Sequence, residues 1–581
     1  LNNGAIITGD VYGGGNNAGV TGNANITVKN GQVLGSVYGG AYQNQVRTES
    51  NIQIFDGILN DIYGGNVLTT QAQLNADTSS QNVNITIGDA SKDTTPTING
   101  TIYGSGKYDR VGTVNIQLVK CATAPTIYGG SEEQGTTNEV DIYLNGMTAN
   151  TIYGGSKTDG TVTTSNIYLA TGTVTDVYGG GFGGTTTTAN IYLDEAVLPG
   201  EDNPIGGNAN VTNIYGGSNT NGTVTTANVN LSLGNVTNVF GGSNGAGVGT
   251  ANVNLDGITI DTIFGGSKNA GVTTNTNVQL NSGTVTNVFG GGYDTGVTNA
   301  SVTQNGATVT NIFGGNQGGT GDGGETTNAT INIENTTAQN IYGGNQNKGI
   351  TRNTTINIKG NSIINGELYG GGLGTDIGRN NVVGSTTINI TGGTIMNDIN
   401  GGSKNATVYG TTHINIGKDA VANNAFAAGN IVINGNIYGS GDSENEDYNT
   451  ISVYGETHII MDNSTESPIT FNRSIFGAGK DATYSSTASD GTDKSTVILK
   501  DFGTSTQSYT MTSIERTGKV TIDNSYLELL GAQDEQNYYQ KTSYTLNRIT
   551  NGLTLQNNTT LYTQRGFNMV GGFESLLTNA D

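Results

Sequence analysis

At 581 residues the chain is too long for one conventional hydrophobic core, because single cores stop growing near roughly 250–300 residues. Gly supplies 93 residues and Pro only 5, Trp is absent and charged residues are 12%. That composition excludes thick helical layers, while Pro plus Gly stays under the roughly 25–30% of low-complexity chains. Asp and Glu number 46 against 23 Lys and Arg, a formal charge of −23, so a nucleic-acid backbone, which needs a basic stripe, is excluded as the natural partner; the single cysteine, Cys121, excludes an internal disulfide and a Cys-based metal site.

In chain order, the first signature is Val11-Tyr12-Gly13-Gly14, an aliphatic residue, a ring and then glycine. The ring returns at Tyr38, Tyr63, Tyr103, Tyr128, Tyr153, Tyr178, Tyr215, Phe240, Phe264, Phe289, Phe313, Tyr342, Tyr369, Tyr438 and Phe476, and Asn400 occupies the same slot without one. From Tyr103 to Tyr178 the rings lie 25 residues apart, and from Tyr215 to Phe313 they lie 24 or 25 apart. A fixed period of this length is the mark of stacked coils. The longer gaps, 40 residues from Tyr63 to Tyr103, 37 from Tyr178 to Tyr215 and 38 on either side of Tyr438, read as insertions on a constant coil. One such insertion, Glu195 to Gly207, carries Pro199 and Pro204, which do not belong inside a central strand, so a loop is expected there.

Within a coil, Ala227-Asn-Val-Asn-Leu-Ser-Leu233 alternates apolar and polar residues, the period of a strand with one buried face. A second strand is expected to precede each signature, as in Gly172-Thr-Val-Thr-Asp-Val-Tyr178, and a third short one, such as Gly222-Thr-Val-Thr-Thr226, to close the circuit. The residue before each ring is always Val, Ile or Leu and reads as inward, with a polar corner before it. The glycines after the ring are expected to supply backbone angles barred to other residues. The sum is an all-β fold, a single right-handed parallel β-helix (β-solenoid) whose twenty or so coils, about 4.8 Å apart, would make a rod on the order of 100 Å long. β-propeller blades need about 40–45 residues and do not fit the period.

After Phe476 the glycine signature stops, although Val520 to Leu529 and Leu553 to Tyr562 keep strand alternation. The expected division is a β-solenoid at 1–499 and divergent C-terminal coils with a cap at 500–581. The Tyr-Gly-Gly coils followed by this Asn- and Leu-rich segment resemble the repetitive β-helical regions of large Gram-positive cell-surface, adhesin-like proteins. That resemblance implies export, attachment through parts outside this sequence, and contact with host or cell-surface glycans, proteins or other cells. The chain opens on Leu1 and not Met, which points to a processed or excised region of a longer precursor. Its longest apolar stretch, near Ala425 to Ile433, is far shorter than the roughly 18 residues of a membrane span.

Chemistry has few places to sit. Asp109, Glu132, Glu133 and Asp159 fall at similar offsets after their rings, with Lys107, Arg110 and Lys157 nearby, the kind of carboxylate group a β-helical polysaccharide lyase or glycoside hydrolase requires; the plainer reading is solvated turns. His413 and His458 share one phase of adjacent coils, with Thr355 and Thr387 in that slot earlier, so a polar surface ladder is expected in place of a metal site. The acidic run Gly441 to Asp447, Asp322 in its glycine loop, and the threonines Thr185 to Thr188 are read as solvated insertions and surface. No catalytic, cofactor or metal residue is assigned. The aromatic ladder is read as buried filler, the alternative being an exposed stripe at rings such as Tyr128 and Tyr153 on which sugars lie. The expected function is a non-enzymatic extracellular structural or adhesive protein (stalk, adhesin or filament component, self-associating end to end) with recognition on the loops Glu195 to Gly207, Asp419 to Asn430 and Ser443 to Tyr448; the alternative is a glycan-cleaving enzyme on the same fold.

Overall fold

The computed structural model describes residues 1–2, 4–44, 46, 48–68, 73–74, 81–319, 321–374, 380–382, 384–421, 429–442, 453–479, 494–530, 548–564, 568–569 and 577–578. They form two compact units, Leu1–Val285 and Thr286–Asp581. Each is an all-β parallel β-helix. In the first, Ala189 to Leu193 pairs in parallel with Ala227 to Leu231, which pairs with Ala251 to Leu255, residue for equivalent residue. In the second, Thr355 to Ile358 pairs with Thr387 to Ile390, then with His413 to Ile416, then with His458 to Met461.

The two-residue alternation explains this register. A slip of one residue would turn every buried side chain to solvent, and Ile191, Leu193, Ala227, Leu231 and Leu255 are all fully enclosed. Apart from Val11, which is half-buried, the aliphatic residue before each ring is enclosed as well, as at Ile152, Val177 and Ile214 in the first unit and Ile341 and Ile437 in the second. Each such side chain contributes about 1.5–3 kcal/mol of hydrophobic stabilisation. The rings pack one on the next: in the first unit Tyr128 and Tyr153 are 4.6 Å apart and Tyr103 and Tyr128 5.4 Å apart, with planes within 9°. Tyr12 and Tyr38 are half-buried, and from Tyr63 on the rings are buried, as Tyr128 at 8% exposure and Phe313 at 1% demonstrate.

Three local expectations are corrected. The segment Gly222 to Thr226 is not a separate short strand: Val224–Leu231 is one strand, as are Thr161–Tyr178 and Val248–Phe264. In the last two the chain turns at a glycine with positive φ, Gly172 (112°) or Gly257 (131°), and the ladder to the preceding coil is interrupted there: the register shifts around Gly172, and pairing stops at Leu255 and resumes at Thr262. The glycine after the ring, by contrast, does not carry a positive φ. It is needed for close approach: a Cβ on Gly216 would lie 2.2 Å from the Gly241 carbonyl oxygen, and one on Gly154 2.4 Å from that of Gly179. Finally, the insertion Glu195 to Gly207 is a hairpin, with Glu195–Val197 antiparallel to Pro204–Gly206. Pro204 is accommodated because this is a two-stranded edge. Ala196, Leu198 and Ile205 pack the hairpin onto Tyr143, Tyr168 and Ala170, where Tyr143 and Tyr168 begin a second, outward stack.

Past Phe476 the winding continues in the second unit. Ser474–Phe476 pairs with Ser513–Glu515, which puts Glu515 in the ring's slot, and Thr517–Asp523 pairs with Arg548–Gln556. Of the expected recognition loops, Ser443 to Tyr448 and residues 422–428 of Asp419 to Asn430 lie outside the described residues, as does most of the acidic run that ends at Asp447. Among the described residues no helix is long and apolar enough to cross a membrane.

Candidate functional site

The four carboxylates singled out by their offsets do not share a cleft. Asp109 has no exposed surface; it points into the coil, where it accepts from the Asn66 backbone N–H at 2.7 Å and the Asn66 amide at 3.1 Å. A buried carboxylate is tolerated where such donors replace water. Glu133 is held by Lys107 at 2.9 Å and by the Tyr108 hydroxyl, and that hydroxyl, more than the lysine, keeps its carboxyl below the usual range. Glu132 pairs with Lys157 at 3.1 Å and accepts from the Tyr63 hydroxyl at 2.9 Å. Of the four, Asp159 alone lines the open pocket of about 200 Å³ with Leu74, Arg110, Gln134, Gly135 and Thr136. There Arg110 donates through Nε to the Leu74 carbonyl at 3.2 Å.

A feature the sequence reading passed over ties these charges to the aromatic ladder. In several coils the residue four places after the ring reaches back two coils and covers an earlier ring. Lys157 bonds the Tyr103 hydroxyl at 3.0 Å, Asn219 that of Tyr153 at 2.9 Å and Lys268 that of Tyr215 at 3.2 Å. In the second unit Asp442 does the same to Tyr369 at 3.4 Å. The constant four-residue offset was the available signal. Ring faces are thus occupied by stacking and several hydroxyls by this roof, so Tyr128 and Tyr153, at 8% and 5% exposure, offer no open platform to a sugar.

His413 and His458 stack at 5.0 Å with planes 10° apart, in the column that runs Thr355, Thr387, His413, His458, Thr496. His458 Nε2 is 2.9 Å from Glu456. Burial first, and the His458 charge second, push His413 below the ordinary histidine value. Among the described residues no group of three His, Cys, Asp or Glu side chains is disposed to hold a metal ion. Asp322 is exposed, and the neighbouring Gly321 N–H bonds Asp294 at 3.0 Å. In Thr185 to Thr188, Thr186 turns inward and is fully buried, while Thr185 meets Thr223 at 3.3 Å.

The outward polar face is the most regular part of each unit. In the first, Asn51 donates to Asn25, Asn84 to Asn51 and Asn115 to Asn84 at 2.9–3.1 Å. The line resumes as Asn166 donates to Asp141, Asn190 to Asn166, Asn228 to Asn190, Asn252 to Asn228 and Asn277 to Asn252, all at 2.8 Å. In the second, Asn357, Asn389 and Asn415 each donate to the preceding Asn, back to Asn332. Within each run an interior amide gives one N–H to the coil before and accepts one from the coil after, so the ladder closes on itself; the first run breaks at Asn115, whose neighbour is the carboxylate of Asp141. No family model, no curated protein and no solved structure matches the chain.

Proposed function

We propose that the chain is a non-enzymatic extracellular scaffold of a bacterial surface, structural or adhesive, of the kind suggested by its likeness to Gram-positive adhesin-like β-helical regions. The observation that carries this reading is the self-closing asparagine ladder. Its amides, which on a binding face would be aimed at a ligand, are committed to holding one coil to the next. The high acidic excess and the lone cysteine suit an exported protein that works without disulfides. Recognition then belongs to the interruptions of the repeat, of which the hairpin Glu195 to Gly206 is the best defined: its tip residues Pro199 to Pro204 are exposed.

The competing reading is cleavage of extracellular glycans, for which the pocket beside Asp159 and Arg110 is the natural place to look. Incubation with pectin, alginate and mucin glycans is expected to release no new reducing ends or unsaturated products. Cleavage that disappears in Asp159→Asn would overturn the scaffold reading. Adhesion is measured separately, by comparing the intact chain with one whose Pro199 to Pro204 tip is replaced by a two-residue turn; equal binding to cells and glycans would remove the hairpin from the recognition surface.

A further inference from the structure

One aromatic pair stands outside the buried ladder and apart from its logic. Val408-Tyr409-Gly410 and Val453-Tyr454-Gly455 repeat the aliphatic-aromatic-glycine order at a different place in the coil. Val408 and Val453 face inward, 1% and 2% exposed, and pack on each other. They are bridged in parallel, and the Tyr454 N–H donates to the Val408 carbonyl at 2.9 Å. The two tyrosines are therefore fixed side by side on the outer surface, their rings 5.1 Å apart and 4° from parallel. At 49% and 47% exposure they are open to solvent, whereas the ladder tyrosines Tyr369 and Tyr438 of the same unit are 4% and 5% exposed.

We infer that Tyr409 and Tyr454 form an oxidative cross-linking site, at which a peroxidase with hydrogen peroxide joins the two phenols as dityrosine. Each phenol gives up one electron and its hydroxyl proton to become a phenoxyl radical, and the two electrons and two protons reduce one peroxide to two waters. The radicals pair to form a carbon–carbon bond between ring positions ortho to the oxygens. The two ring hydrogens at those positions then shift to the oxygens and restore both phenols, so the product is lighter by two hydrogens. Radical pairing needs two rings close together before either radical is lost, which the paired backbone provides. It also needs access for an oxidant and freedom for the rings to turn their edges together, which the outer surface provides and the buried ladder denies. The product would tie adjacent coils across the chain from Gly410 to Val453, a covalent staple in a protein that has no disulfide. The inference rests on this geometry and holds whatever the scaffold binds.

The test uses the full chain, dilute, with horseradish peroxidase and limiting peroxide, followed by trypsin and mass spectrometry. Cleavage at Lys418 separates the two tyrosines, so the expected result is the Tyr409 peptide joined to the Tyr454 peptide with two hydrogens missing, in protein that still runs as a monomer. Tyr409→Phe and Tyr454→Phe preserve the stacked rings and should each abolish the link, with circular dichroism confirming that both variants are folded. Tyr562, 55% exposed, serves as the control for accessibility alone and should remain unlinked. Absence of dityrosine, a link that survives either Phe variant, or a link found only between two chains would each overturn the assignment.

Discussion

Replacing Gly216 by alanine separates two accounts of why glycine follows each ring, because they predict opposite signs. If glycine served only backbone freedom, Gly216→Ala would stabilise, since φ there is not positive and a compatible Gly→Ala change gains about 0.4–1 kcal/mol by restricting the unfolded chain. The new Cβ, however, would lie 2.2 Å from the Gly241 carbonyl oxygen and 3.0 Å from the Ala227 Cβ, where real Cβ contacts essentially never fall under 3.0 Å. Neither backbone can withdraw freely: the Gly216 N–H is bonded to the Phe240 carbonyl at 2.8 Å and the Gly241 N–H to that of Phe264 at 2.8 Å. Overpacking of this kind costs about 1–3 kcal/mol, so the net expectation is a destabilisation of about 1–2 kcal/mol. Local stability in a repeat protein is best read where the change is made. Urea titration followed by amide exchange around Phe240 is therefore the assay, with Gly22→Ala as control because nothing lies within 4 Å of a Cβ at Gly22. A Gly216→Ala variant as stable as the parent, or more so, would refute the close-approach argument.

Asn228→Ala removes the amide that donates to Asn190 and accepts from Asn252, both at 2.8 Å, and should lower stability by about 1–2 kcal/mol, visible as faster exchange in the flanking coils; an unchanged rate would mean that water replaces the ladder at no cost. Asp141 is the one carboxylate in that column, and burial raises its carboxyl above the usual value. Its ionised form therefore weakens the fold at pH above the unfolded carboxyl value of about 3.9, and the penalty fades as pH falls below it. Asp141→Asn, which also gives the paired Asn115 a donor, should stabilise by about 0.5–1.5 kcal/mol near pH 7 and the gain should shrink towards about pH 3; a gain independent of pH would point to the hydrogen bond alone. His413 is depressed by burial and by His458, so its contribution to stability is present above the unfolded histidine value of about 6.5 and is lost as pH falls through the lower folded value. His413→Thr, the residue that fills the slot at Thr387 and Thr496, should flatten the decline in thermal midpoint between about pH 7.5 and pH 5, and an identical decline in both proteins would exclude the histidine pair as its source.

The period of 24 or 25 residues, the alternation in segments such as Ala227 to Leu233 and the invariant aliphatic residue before each ring were all legible in the sequence. They are properties of one coil, and coils that repeat in sequence must pair like with like. This is why the parallel register of Ala227 with Ala251, and of His413 with His458, followed from alignment alone. What a residue meets in another coil was not legible, because it depends on the distance between backbones and the direction of each side chain. Asp109 and Asp159 share an offset after their rings, yet one is enclosed by Asn66 and the other opens on a pocket. Glycine after the ring looked like a matter of dihedral angle and proved to be one of clearance. The prolines of Glu195 to Gly206 identified an interruption, but only the apolar surface left by Tyr143, Tyr168 and Ala170 made that interruption a packed hairpin. Sequence determined the coil, then, since periodicity acts along the chain; tertiary structure decided which side chains are occupied by neighbouring coils and which, like Tyr409 and Tyr454, are left to face solvent together.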